Sequence, residues 1–296
     1  METHIDSSTP LNPAIQAWEV YLQDQDRSIY TVKSFVSDLQ LFASRIAPDK
    51  AIGSISTNDI NLFLRWLQHE RGVPCSPKSL SRRITSIKSF FRWLHLKGRI
   101  KTNPAEKVIQ KTVISPLPSI LSKKEIELAL EAAAFYRNAS KPDARYYTLF
   151  KLLLDTGIKK GECVSLGLNH VNLDSPDGAF IFIRYNNPKL RNKERKLETS
   201  PEWCEAYQEY LLQYNPKSHI FPWTPRLLEY LLADISTKAG IDKQISFDMC
   251  RWTCAVRNWE SGMEKDTIRQ KMGISKVQWR EVSRKLEKLS HKFNLD

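Results

Sequence analysis

The chain has 296 residues, about two domains' worth of polypeptide at roughly 100–200 residues each. With 41% hydrophobic and 26% charged side chains, and no apolar run of about 18 residues, the composition excludes a disordered tail and a membrane-spanning protein and predicts a soluble globular one. The net charge is +12, shared as 15 basic against 10 acidic side chains over residues 1–110 and 30 against 23 over 111–296, so both halves suit a polyanionic partner such as nucleic acid.

In chain order, the opening METHIDSSTPLNP lacks the basic-then-apolar order of a signal peptide, which points to the cytoplasm or nucleoid. Residues 13–100 read as helices. Val32, Phe35, Val36, Leu39, Phe42 and Ile46 recur at helical spacing, and a following helix turns Ile60, Phe63, Leu64 and Leu67 inward. Ser76 and Pro77 supply an N-cap and a first-turn proline for a helix with Leu80, Ile84, Ile87, Phe91 and Leu94 on its apolar side. Its opposite side carries Lys78, Arg82, Arg83, Lys88 and Arg92, a surface suited to phosphates or simply to solvent. The proline-rich stretch 104–120 reads as a linker, which sets domains at 10–103 and 121–296.

In the second domain, Ser122 and Glu125 form a predicted capping box, and the helix ARYYTLFKLLLDTG ends at Gly157 in an expected left-handed cap. AFIFIRY, residues 179–185, is the clear strand, followed by the turn NNPK and a return segment near Thr199. The chain then returns to helix. The last helix carries Trp279, Val282, Leu286, Leu289 and Phe293 on one face beside Lys276, Arg280, Arg284, Lys288 and Lys292, so residues 276–293 pack on their own domain or offer a surface for self-association. The expected fold class is mainly α with a small antiparallel sheet. The five cysteines are scattered and odd in number, which argues for reduced thiols rather than a disulfide framework. Cys250 and Cys254, one helical turn apart, lack a second ligand pair and read as core; no metal and no cofactor is expected, and no glycine-rich phosphate loop occurs.

Several strings in this order resemble the tyrosine recombinase, or phage integrase, family, and most its Xer-like members. SLSRRITSIKSFFRWLHLKGRIKTNPAEKV (79–108) resembles the end of the family's helical core-binding domain, and PLPSILSKKEIELAL the start of its catalytic domain. LLLDTGIKKGECVSLGLNHVNL (152–173) is similar to its first catalytic box, RNKERK to its lysine-bearing hairpin, and DMCRWTCAVRNWESGMEKDTIRQKMG (248–273) to its second box. The resemblance implies two basic lobes clamping double-stranded DNA, and an activity in which a tyrosine hydroxyl attacks a phosphodiester amid arginines, histidines and a lysine.

Carried over residue by residue, the family's first arginine falls on Lys159 and its histidine on Asp248. Arg251 retains the second arginine, a further histidine position holds Trp252, the later His or Trp position falls on Ile274, and the nucleophile position falls on Ser283. The lysine position falls on Leu190 beside Lys189. Tyr230 is the last tyrosine, and no histidine lies between His219 and His291. These departures predict a DNA-binding protein without cleavage, hence not an enzyme. The alternative is an active recombinase with a rearranged site, and a third reading is a protein-interaction subunit that leaves the basic excess unexplained. The expected DNA contacts are Lys78, Arg82, Arg83 and Lys88 in the first domain, and Lys159, Lys189, Arg191, Lys193 and Arg251 in the second. His170, after the first box, reads as structural.

Overall fold

The computed structural model describes residues 5–111, 113 and 115–293, so positions 112 and 114 of the predicted linker and 294–296 of the predicted second domain lie outside the described residues. The chain divides into two units, Met1–Pro116 and Leu117–Asp296. Both are built mainly of helices, and the second carries a three-stranded antiparallel sheet, as the apolar periodicities predict.

In the first unit, α1 (Leu11–Asp24), α2 (Ile29–Ile46), α3 (Thr57–His69) and α4 (Pro77–Leu96) surround one aromatic-rich core. Hydroxyl caps start three of them: Ser28 accepts from the Thr31 N–H, Ser56 and Asp59 form a capping box, and Ser76 accepts from the Ser79 N–H ahead of Pro77. Trp18, Phe42, Phe63, Phe90 and Phe91 are fully buried, with Trp18 and Phe90 edge-on at 5.4 Å. The predicted linker behaves differently from expectation. Ala105 and Val108 are buried in the first core, and Thr57 Oγ1 donates to the Pro104 carbonyl at 2.7 Å. Ile120 and Leu121 belong to the second core, which leaves residues 109–119 between the two cores, with the unit boundary at Pro116–Leu117. Of the prolines that suggested an open linker, Pro104 is buried in a turn on the first core and Pro116 is exposed.

The second unit opens with α5 (Lys123–Arg137), capped reciprocally by Ser122 and Glu125, and α6 (Ala144–Thr156), which ends on Gly157 at φ 59°. After the short α7 (Lys160–Val164) come β1 (Val171–Asn172), β2 (Phe180–Ile183) and β3 (Arg195–Glu198), in the order β1-β2-β3, with Ile181 opposite Leu197 and Ile183 opposite Arg195. The predicted strand 179–185 is cut short at Ile183, because the Tyr185 N–H goes to the Glu194 carboxylate at 2.9 Å rather than to the ladder. The helices α8 (Pro201–Tyr214), α9 (Pro225–Lys238), α10 (Phe247–Glu260), α11 (Lys265–Lys271) and α12 (Lys276–Phe293) complete the unit. Leu286, Leu289 and Phe293 of α12 are buried in this same core. The apolar face predicted as a surface for self-association is therefore occupied within its own domain.

Candidate functional site

The site is assembled where α6 gives way to α7. Left-handed Gly157 turns the chain against α10, where an added Cβ would lie 3.2 Å from Cys254 Cβ, and this places Lys159 at the start of α7. The Lys159 backbone N–H donates to Glu162 Oε2 at 2.9 Å. Glu162 is nearly inaccessible, its side chain 3% exposed, yet it remains fully paired. Arg195 from the start of β3 donates to both of its oxygens, at 3.1 and 2.8 Å, the Tyr185 hydroxyl donates to Oε1, and Lys159 Nζ stands 3.4 Å away. Burial alone would raise this carboxyl, but the Arg195 guanidinium, helped by the Lys159 N–H and ammonium, holds it at about 2. Glu162 pushes the Tyr185 phenol the other way, adding to burial, to about 12.

Arg195 and Lys159, joined here by Arg251, also converge on a second acceptor, the end of α11. A helix C-terminus leaves carbonyls without intrahelical partners, and here three successive ones are taken. Lys271 O accepts from Arg195 Nε at 2.7 Å, Met272 O from Arg251 Nη2, and Gly273 O from Lys159 Nζ at 3.2 Å. Arg251 also donates to Gly157 O at 2.8 Å, tying α10 to the turn after α6. The three differ in access: the Lys159 side chain is 38% exposed, against 8% for Arg195 and for Arg251. Burial, opposed by Glu162 and reinforced by Arg251 and Arg195, lowers the Lys159 ammonium from the ordinary lysine value. Such a cluster offers positive charge to an anion arriving at Lys159, with two fixed guanidinium groups behind it.

The structure therefore brings together Lys159 and Arg251, and adds Arg195, Glu162 and Tyr185, which the sequence reading did not single out. Glu162, three residues after Lys159, was the available signal, since a carboxylate in an otherwise cationic string requires a partner. Asp248 is exposed on the first turn of α10. Trp252 is buried in the core and Ile274 packs against it, so both serve packing. Ser283 donates to the Arg280 carbonyl at 3.4 Å within α12. Lys189, Arg191 and Lys193 lie on a 3₁₀ turn, Pro188–Lys193, whose start is capped by Asn187; Lys189 and Arg191 are exposed and Lys193 is half-buried. His170 Nδ1 accepts the Gly167 N–H at 3.1 Å, a structural role. Cys250 and Cys254 are buried.

In the first unit, Lys78 is exposed and Lys88 half-buried. Arg82 and Arg83 are also engaged within the unit. Asp38 on α2 is buried, and it accepts from Arg82 Nη1 at 2.5 Å and from Ser86 Oγ at 2.8 Å, with Arg83 Nε 3.4 Å away. Arg83 Nη1 also donates to Cys75 Sγ at 2.7 Å. The reason is elementary: a carboxylate facing a core needs counter-charge, and α4 provides it.

Residues 15–98 match the family description "Phage integrase, N-terminal SAM-like domain", and residues 119–280 match "Phage integrase family". The chain belongs to the phage integrase family. Among relatives of this phage integrase chain, "Tyrosine recombinase XerC" of Oceanobacillus iheyensis is 29% identical over 277 residues, covering 88% of this chain and 87% of that one. "Tyrosine recombinase XerD" of Chlorobaculum tepidum is 27% identical over 265 residues, covering 83% of each. The fold of the family member is also that of a XerH recombinase on palindromic difH substrate in a post-cleavage complex, with TM-score 0.73, 15% identity and coverage of 94% and 82%. A lambda integrase dimer bound to a COC' core site gives TM-score 0.70, 16% identity and coverage of 93% and 77%.

These relatives correct the expectation that the chain is not an enzyme. They are recombinases by name, and they match over most of their length and of this one. Departures at positions 159, 248, 252, 274 and 283 show that the side chains at those places differ; they do not show that cleavage is lost.

Proposed function

We propose that this phage integrase family member binds duplex DNA through both units and acts on it as a site-specific recombinase with a rearranged active site. The observation that carries the reading is the convergence of Lys159, Arg195 and Arg251 on the end of α11, with Glu162 paired to the first two. Phosphoryl transfer is catalysed mainly by positioning and by preorganised charge around phosphorus, and a buried double-guanidinium frame with one accessible ammonium supports that chemistry. Lys78, Lys88 and the exposed Arg92 in the first unit, with Lys189, Arg191 and Lys193 in the second, are the proposed backbone contacts. Phosphate neutralisation supplies the affinity, and a few base contacts supply the sequence preference. Self-association through the 276–293 helix would use its exposed side, where Val277 lies. The reading puts the protein with its DNA, in the cytoplasm.

The test is selection of bound duplexes from a random pool, followed by incubation with the selected site carrying a nick that traps covalent intermediates. A motif and a protein–DNA adduct that survives denaturation are expected, and peptide mapping then identifies the residue that carries the DNA, Ser283 being the one at the family's nucleophile position. No enriched motif would overturn sequence-preferring binding. A motif without adduct or strand exchange would overturn the recombinase reading.

A further inference from the structure

The first unit holds a cavity of about 360 Å³ between the end of α1, the start of α2 and the second half of α4. Its size falls at the lower end of the range for small-molecule pockets, roughly 300–1,000 Å³. Among the described residues, aromatic rings make up much of its wall. They form two stacked pairs, Trp18 with Phe35 at 6.0 Å between centroids and Tyr21 with Trp93 at 5.5 Å. The indole N–H groups of Trp18 and Trp93 are buried with no hydrogen-bond partner among the described residues, a condition that few buried donors keep in a native fold. Arg27, from the α1–α2 turn, and Arg92 also line the cavity, and both are exposed. Among the described residues neither has an ion pair, and no carboxylate lines the cavity.

Each of these features selects a property of the occupant. Flat ring faces favour a planar aromatic body, held by offset or edge-on packing. Guanidinium groups without counter-ions favour an anion, and the two oxygens of a carboxylate match their forked donors. The indole donors call for acceptor oxygens, which a slight turn of either ring brings within reach. We infer that this cavity is a binding site for a small aromatic carboxylate of one or two rings, with the ring against Trp18 and Trp93 and the carboxylate on Arg27 and Arg92. The binding itself is independent of the recombinase reading. One consequence rests on the DNA-binding reading above: Arg92 is a proposed backbone contact, so a carboxylate held there takes a cation from the DNA phosphates and weakens DNA binding.

The test is isothermal titration of the full chain, free of DNA, with indole-3-acetate as the probe. Two controls separate the features: indole-3-acetamide keeps the rings without the charge, and cyclohexylacetate keeps the charge without an aromatic ring. Saturable one-to-one binding with a Kd below about 1 mM is expected, at least about 10-fold tighter than either control. Arg27→Gln combined with Arg92→Gln should remove the advantage of the acid over the amide while leaving amide binding and the melting temperature as in the native chain, because both side chains are exposed. Equal affinity for acid and amide, undiminished binding of the acid by the double variant, or no saturable binding of the acid would overturn the site. For the consequence, DNA affinity is read by fluorescence anisotropy with indole-3-acetate or, at the same ionic strength, cyclohexylacetate. Indole-3-acetate at saturation should weaken native binding at least about threefold and leave the double variant unchanged. Undiminished DNA affinity in the liganded native chain would overturn the shared use of Arg92 and leave the site standing, whereas a native chain that binds no DNA would overturn the DNA-binding reading alone.

Discussion

A methyl group on Gly273 would stand 2.7 Å from Arg195 Nη1 and 2.9 Å from its guanidinium carbon. The turn after α11 thus lies directly on the guanidinium that binds Glu162, and it does so at φ 56°, in the left-handed region. Gly273→Ala should therefore act twice, straining the backbone and pushing Arg195 off the Lys271 carbonyl. A loss of about 1–2 kcal/mol in stability and a larger proportional loss of strand cleavage are expected from melts and trapping assays. An alanine variant with native stability and activity would show that Arg195 has room the structure does not give it.

Changing Arg82 and Arg83 together to Ala should destabilise the first unit. The double variant leaves the Asp38 carboxylate buried with Ser86 as its remaining hydrogen-bond donor. Removing the partners of a buried charge costs about 3–5 kcal/mol; with Arg82 41% exposed, a loss of about 2–4 kcal/mol is expected in chemical denaturation. Asp38→Asn in the same background should recover part of it. A double variant of unchanged stability would mean that Asp38 is not held as described.

DNA contact is better probed at Lys78 and Arg92, which are exposed. Each change to Ala should weaken binding across sequences and lower the slope of log affinity against log salt by about 1. With about six phosphate contacts, native binding should fall by roughly 10³-fold between 50 and 200 mM salt. A flat response in a fluorescence anisotropy titration would contradict backbone contact by both units.

Leu286 of α12 is fully buried. Leu286→Ala should cost about 2–5 kcal/mol in the second unit's unfolding. A variant that unfolds normally but loses cooperative binding to paired sites would instead point to α12 as a contact between copies.

The Glu162 carboxyl, at about 2 in the folded chain, lies below its unfolded value of about 4.3. Its contribution to stability is complete above that unfolded value and is lost as pH falls from about 4.3 to about 2. Relative to Glu162→Gln, the native protein should lose stability more steeply across this window, read from denaturant midpoints at each pH. Parallel slopes would show that Glu162 does not carry the ion pairs assigned to it.

Local features were legible in the sequence and convergent ones were not. Ser76 with Pro77, the Ser122–Glu125 box and the Gly157 cap depend on neighbours within a few residues, and the structure realises all three. The apolar spacing of α2 and α4 likewise marks most of what is buried, Val32, Val36, Leu39, Phe42, Ile84, Ile87, Phe91 and Leu94, although Phe35, Ile46 and Leu80 are only half-buried and Phe90, also in the core, was missed. Arg195, by contrast, meets Glu162 across 33 residues, and no local pattern distinguishes it from the other cations of RNKERK. The strand end at Ile183 was hidden because a side-chain acceptor, Glu194, competes for the Tyr185 N–H. Trp252 was assigned by its place in a catalytic string, whereas its aromatic bulk fits the core position that it fills.

The Asp38 contacts also constrain how this chain can diverge. Asp38, Arg82 and Ser86 come from two helices and satisfy one buried charge, so a change at any one of them leaves the others mismatched. Among homologous sequences the three positions should vary as a set, an apolar residue at 38 appearing together with uncharged residues at 82 and 86. Arg82 would then be retained for the packing of α2 on α4 even in lineages whose DNA target has changed.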